Sequence, residues 1–225
     1  MRFADGDVGI VFEGGEVHRR EWIRFCRLPP AWLTAVPATA YPGPAPGAAH
    51  GSVSATEAVL ENGAIAMRWC FADGRLRPGG LAHRETGSDL DLAGTECFIL
   101  VLGQTPFPQP RPVRASELAL AAPPDLTRIE AEPSAARLAD RSGGWELAAR
   151  LMCADPGFDV VWRAVLRDGA NYLRQEITIL PHEDPVELSE AILVDLSVPG
   201  AAVAGRVEGS PVVTDKLFFG VEHPA

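Results

Sequence analysis

The chain has 225 residues, of which 47% are hydrophobic and 22% are charged. This is the composition of a folded globular protein, and it excludes a wholly disordered chain. Lysine and arginine total 20 against 30 acidic residues, which gives a net charge of -10. A field of that sign repels phosphate backbones, so nucleic acid is not expected as a partner. The sequence also contains no apolar run near the roughly 18 residues that a membrane-spanning helix needs.

The beginning of the chain and its metal-ligating residue types give little sign of export or of a cofactor. The first residues, MRFADGDVGIVFEGG, lack the apolar core of a signal peptide, so a cytoplasmic location is expected if Met1 is the native start. The four cysteines are far apart and form no C-x-x-C pair, and the five histidines show no H-x-H or H-E-x-x-H spacing. We therefore expect buried, unpaired cysteines, no metal and no cofactor.

Residues 1–56 are predicted to form edge strands followed by a proline-rich crossing. The segments VGIVF and VHRREWIRF are typical of strands, whereas Pro29–Gly47 holds six prolines. Proline removes backbone donors, so that stretch cannot be a helix or a central strand. Trp32 lies inside it and is the tryptophan with the strongest claim to be a surface contact for a sugar.

Residues 57–225 are predicted to form the main part of a single β-sandwich domain. Apolar and polar residues alternate in three consecutive segments that we interpret as an antiparallel meander: WELAARLMC, FDVVWRAVLR and YLRQEITIL. Hairpin turns are expected at Asn62–Gly63, Asp73–Gly74 and Asp168–Gly169. The whole chain should contain about 12 to 14 strands and negligible helix, which favours two large antiparallel sheets packed face to face.

The segment after the meander is ambiguous. Asp184–Pro185–Val186–Glu187 resembles a helix start, but Ile192, Val194, Leu196 and Val198 alternate with other residues, which favours a strand. The preceding His182–Glu183–Asp184 is interpreted as a solvated polar turn.

Several segments together resemble one protein family. AVLENGAIAMRWCFADGRLRPGGLAHRETGSDL, NYLRQEITI and GSPVVTDKLFFGVEHPA resemble, in this order, the N-terminal β-supersandwich domain of bacterial α-galactosidase-related glycoside hydrolases. The resemblance covers roughly residues 57–225. It implies a galactose-mutarotase-like sandwich that lacks its last strands, and a carbohydrate-active context.

The resemblance also implies a partner and a role. In that family the sandwich precedes a catalytic (β/α)8 barrel, which this chain does not contain because a barrel alone needs about 250 residues. The expected function is therefore non-catalytic: to brace the barrel and shape its sugar pocket. Glu222 and His223, at the end of the FFGVEHP strand, are expected to face the barrel as substrate-shaping or interface residues. The alternatives are a free-standing sugar mutarotase or epimerase, and a carbohydrate-binding module.

Overall fold

The computed structural model describes residues 8–14, 22–28, 44–103, 109–206, 210–214 and 216–220, with backbone alone for the first two ranges. The chain divides into two compact units, Met1–Pro44 and Ala45–Ala225. In the first unit, β1 (Val8–Gly14) and β2 (Trp22–Leu28) form an antiparallel hairpin in which Val8 pairs with Leu28. All further description concerns the second unit.

The second unit is built from antiparallel strands. In chain order the strands are β3 (His50–Val53), β4 (Glu57–Glu61), β5 (Ile65–Cys70), β6 (Arg77–His83), β7 (Ser88–Asp91), β8 (Ile99–Leu102), β9 (Arg111–Arg114), β10 (Ala119–Leu120), β11 (Asp125–Ile129), β12 (Gly144–Cys153), β13 (Phe158–Arg167), β14 (Leu173–Pro181), β15 (Leu188–Ile192), β16 (Ala202–Val203), β17 (Val212–Val213) and β18 (Phe218–Phe219). Two short 3₁₀ turns, Ala115–Glu117 and Ala139–Arg141, are the only helical segments among the described residues. The predicted all-β, antiparallel class is confirmed, but the described residues contain 18 strands, more than the 12 to 14 expected. No described helix has the length and apolar character needed to cross a membrane.

The first large sheet is a five-stranded meander, β3-β4-β5-β6-β7. Two of its four turns lie where the sequence predicted them: Asn62–Gly63 joins β4 to β5, and Asp73–Gly74 joins β5 to β6. Gly74 has a φ of +71°, a backbone conformation that residues with a Cβ rarely adopt.

The second large sheet has the order β10-β12-β13-β14, with β11 also pairing with β12. Strands β12, β13 and β14 are consecutive antiparallel neighbours, with Leu147 opposite Ala164 and Trp162 opposite Ile177. The predicted meander is therefore confirmed. Its length reflects the sustained alternation of apolar and polar residues, which keeps one face of the sheet away from water.

The buried residues of the two large sheets lie in one hydrophobic cluster. Trp69 on β5 and Trp162 on β13 are both fully buried, and their rings meet edge to face with centroids 5.3 Å apart and an interplanar angle of 71°. This geometry suits the quadrupoles of two aromatic rings. Both residues thus pack in the core as expected, and they connect the two sheets directly.

A third sheet, β15-β8-β9, adds Leu100, Leu102 and Val113 to the same core. The predicted strand after Asp184 is confirmed only as far as Ile192. Beyond it the prediction was wrong. The residues that pack against the core there are Leu193 and Leu196, which are three positions apart, and a strand would place them on opposite faces. The described part of the chain ends in a small sheet, β16-β17-β18.

Candidate functional site

The three residues that the sequence proposed as contacts, Trp32, Glu222 and His223, lie outside the described residues. The structure therefore does not test them. It does bring together two other groups of polar side chains, at two different places on the second unit.

The first group surrounds Asp159, a carboxylate buried on the outward face of β13. Its alternation with Phe158 and Val160 predicts a solvent-facing side chain, yet Asp159 is only 4% exposed. The register gives the reason: Met152 on β12 and Leu180 on β14 are its direct neighbours across the sheet. These two apolar side chains flank the carboxylate on its face of the sheet, while they themselves remain 44% and 38% exposed.

Two cationic or polar side chains compensate the buried carboxylate. Arg150 donates from Nε to Asp159 Oδ2 over 2.7 Å, and His182 Nε2 lies 3.0 Å from Asp159 Oδ1. Burial acts to raise the pKa of Asp159, but the hydrogen bonds from Arg150 and His182 outweigh it and hold that pKa below its ordinary value. The carboxyl group is therefore ionised at neutral pH.

The ionised carboxylate fixes the state of the histidine. A carboxylate can only accept hydrogen bonds, so Nε2 of His182 carries the proton that Asp159 binds. In neutral His182 the other ring nitrogen, Nδ1, is then left as a proton acceptor. The His182 side chain is 48% exposed, so a carboxylate-oriented imidazole faces solvent here. This arrangement is chemically able to transfer protons. The His182–Glu183–Asp184 turn, which we expected to be solvated, is therefore attached to β13 through the contact of His182 with Asp159.

The second group lines an open depression of about 500 Å³ at one end of the first sheet. Three charged or titratable residues, His50, Glu61 and Arg84, line it together with Pro46–Ala48 and the Asn62–Gly63 turn. His50 and Glu61 are direct cross-strand neighbours on β3 and β4, and Arg84 Nη2 is paired with Glu61 Oε2. Antiparallel pairing of β4, β5 and β6 brings Glu61 and Arg84 together although 23 residues separate them.

We call residues 45–49 the strap, because this segment bridges the turns of both large sheets. The bridging bonds are Gly63 N to Pro46 O at 2.8 Å, Gly169 N to Gly47 O at 2.7 Å and Ala49 N to Asp168 Oδ1 at 2.8 Å. Arg128 donates to Asp168 Oδ2 over 2.5 Å, and this hydrogen bond holds the pKa of Asp168 below its ordinary value.

Asn62 connects the two turns without the strap. This buried side chain accepts from the backbone N–H groups of Ala64 and Ile65 at 2.9 and 3.1 Å, and it donates from Nδ2 to Ala170 O over 2.7 Å. The floor of the depression is therefore held by bonds from three separate segments of the chain, which restricts its movement.

Sequence reasoning missed both groups. For Asp159, a usable signal was present: Met152 and Leu180 are apolar at positions where their own strands should face water. For the depression the sequence offered no comparable signal, because no pattern in it predicts that Arg84 lies beside Glu61.

Among the described residues no group of three or more histidine, cysteine or acidic side chains could hold a metal ion. Of the tryptophans whose side chains the structure describes, Trp69 and Trp162 are fully buried and Trp145 packs against the core, so none of these three forms an exposed platform. Comparisons of the chain with protein-family models, with curated proteins and with solved structures gave no match. The fold itself defines an all-β unit of antiparallel sheets.

Proposed function

We propose that this chain is the non-catalytic N-terminal sandwich domain of an α-galactosidase-like glycoside hydrolase, where it braces a catalytic barrel and shapes its sugar pocket. The observation that carries the proposal is the single core shared by two five-stranded antiparallel sheets, with Trp69 against Trp162. Sheets joined in this way are what a supersandwich requires.

The positions of the resembling segments support the same proposal. The ENG phrase forms the β4–β5 turn, the DG phrase forms the β5–β6 turn, and NYLRQEITI contains most of β14. Two of these phrases thus lie at turns and the third on a strand, which supports the proposal without depending on any residue outside the described part of the chain. In this proposal Glu222 and His223 contact the barrel, and Trp32 contacts a sugar.

The test is hydrolysis of an aryl α-galactoside. The isolated 225 residues should be inactive, whereas the longer product of the same reading frame, with about 250 further residues of alternating strand and helix, should be active. Hydrolysis by the isolated chain, or a reading frame without such a barrel, would overturn the proposal.

One observation favours a second candidate, a sugar mutarotase or epimerase. Mutarotation needs a group that moves protons at the ring oxygen and the anomeric hydroxyl, and His182 held by Asp159 at 3.0 Å has this capacity. Neither residue lines the depression described above, so we place this candidate second. Polarimetry of α-D-galactose separates the two: a rate no faster than that of buffer, or one unchanged by His182→Gln, excludes the mutarotase.

A further inference from the structure

We propose that the depression at the strap is a binding site for neighbouring hydroxyl groups of an uncharged sugar, with Glu61, Arg84 and His50 as its contacts. This inference rests on the carbohydrate context proposed above. It names the residues, within the described part of the chain, that would contact the sugar.

The chemistry of the ion pair carries the assignment. Each hydroxyl of a sugar can both donate and accept a hydrogen bond, and the Glu61 carboxylate only accepts whereas the Arg84 guanidinium only donates. Because Arg84 Nη2 is paired with Glu61 Oε2, an acceptor and a donor lie side by side, as two adjacent hydroxyls require. The two charges also compensate each other, so the site does not favour a charged ligand.

The exposure of these groups leaves them able to bind. The side chains of Arg84 and Glu61 are 49% and 42% exposed, and His50, opposite Glu61 on β3, is exposed as well. Planar polar groups that converge on one concave surface are the usual means of orienting a small ligand.

The rigid floor strengthens the argument. Pro46, Gly47 and Gly63 are held by the strap bonds and Asn62 by its bond to Ala170, so the surface has its shape before a ligand arrives. A preformed surface loses less conformational entropy on binding than a mobile loop does.

A matched ion pair lies outside this depression, at the turn between β5 and β6. Arg77 and Asp73 form a pair at 2.7 Å with 43% and 55% exposed side chains, at the opposite end of β6 from Arg84. Neither residue lines the depression around Arg84. If a paired arginine and carboxylate were sufficient, both ends of β6 would bind sugars; the proposal requires that only the Arg84 end does.

The experiment is a titration of the full chain with methyl α-D-galactopyranoside, followed in amide correlation spectra. We expect saturable shifts at Gly47 and Gly63 and a dissociation constant in about the millimolar range. Arg84→Met should weaken binding about tenfold or more, whereas Arg77→Met should leave it unchanged. Well-dispersed spectra of each variant show that it is folded.

Three results would overturn the inference: shifts confined to other residues, equal effects of the two arginine variants, or no saturable shift up to about 100 mM sugar. None of these concerns hydrolysis by the longer product, so the site can fail while the proposed function stands. The proposed function can also fail while the site stands, since the isolated chain could bind the sugar at Arg84 even if no barrel follows it.

Discussion

The contact between Trp69 and Trp162 can be measured by a double-mutant cycle, because each ring belongs to a different large sheet. The variants are Trp69→Leu, Trp162→Leu and the double variant. Truncation of a buried tryptophan to alanine costs about 3–5 kcal/mol; leucine refills part of the space, so we expect about 2–3 kcal/mol for each single variant. The rings meet at 5.3 Å and 71°, and such pairs contribute about 0.5–1.5 kcal/mol beyond the area they bury. The double variant should therefore cost less than the sum by that amount.

The two single variants should differ in a direction that the structure sets. Trp162 donates from Nε1 to Gln175 over 3.2 Å, whereas Nε1 of Trp69 is buried and has no hydrogen-bond partner among the described residues. Replacement of Trp162 thus loses a bond, and replacement of Trp69 removes an unsatisfied group. We expect Trp162→Leu to cost about 1 kcal/mol more than Trp69→Leu.

Urea unfolding followed by far-ultraviolet circular dichroism gives these free energies without relying on tryptophan fluorescence. The control cycle combines Trp69→Leu with Trp145→Leu, since Trp145 lies instead beneath Arg128, whose Cζ is 5.8 Å from the ring centroid. That cycle should be additive within about 0.5 kcal/mol. A Trp69–Trp162 coupling below about 0.3 kcal/mol, or one no larger than the control, would refute the shared core.

Three further changes test other parts of the fold. Asp159→Asn should lower the free energy of unfolding by about 2 kcal/mol at neutral pH. Because the pKa of Asp159 is lower in the folded than in the unfolded chain, this loss of unfolding free energy relative to wild type should be complete above about pH 4 and should shrink as the pH falls through the folded pKa. A loss that stays constant down to pH 2 would contradict this. Gly144→Ala places a Cβ 2.4 Å from the carbonyl oxygen of a neighbouring strand and should cost about 1–3 kcal/mol, while the control Gly80→Ala, whose nearest atom is 3.5 Å away, should cost under about 1 kcal/mol; equal costs would count against the register of β12. Burial raises the pKa of the Cys97 thiol, so a thiol reagent at pH 8 should modify the half-buried Cys70 before Cys97. Peptide mapping that finds the two modified at the same rate would show that the core around Cys97 opens easily.

The elements that the sequence predicted well are those in which one local rule decides the structure. The meander from β12 to β14 follows from sustained alternation, and the turn at Asn62–Gly63 follows from residue types that tolerate tight turns. The alternation of each strand lies within ten consecutive residues or fewer. No contact with a distant segment is needed to read them.

The sequence failed where a distant neighbour decides. The alternation of β13 predicts that Asp159 faces solvent, but Met152 on one neighbouring strand and Leu180 on the other flank its side chain. Leu193 and Leu196 belong to no sequence repeat long enough to predict a strand or a helix. They pack against a core that other segments of the chain form. Which residues of distant segments come into contact depends on strand register and on the order of strands in the sheet, and the alternation of apolar and polar residues does not determine either of these.

The two candidate sites lie at opposite ends of one strand, and this makes them separable. Asp159 is near the beginning of β13, whereas Asp168, which accepts the strap's Ala49 N–H, follows its last residue. Nine residues of extended chain span about 30 Å, more than a monosaccharide could bridge. Proton transfer at His182 and sugar binding at Arg84 must therefore respond to different substitutions. If His182→Gln weakened binding of methyl α-D-galactopyranoside as strongly as Arg84→Met does, the sugar would have to contact the His182 end as well, and the assignment to the depression would be wrong.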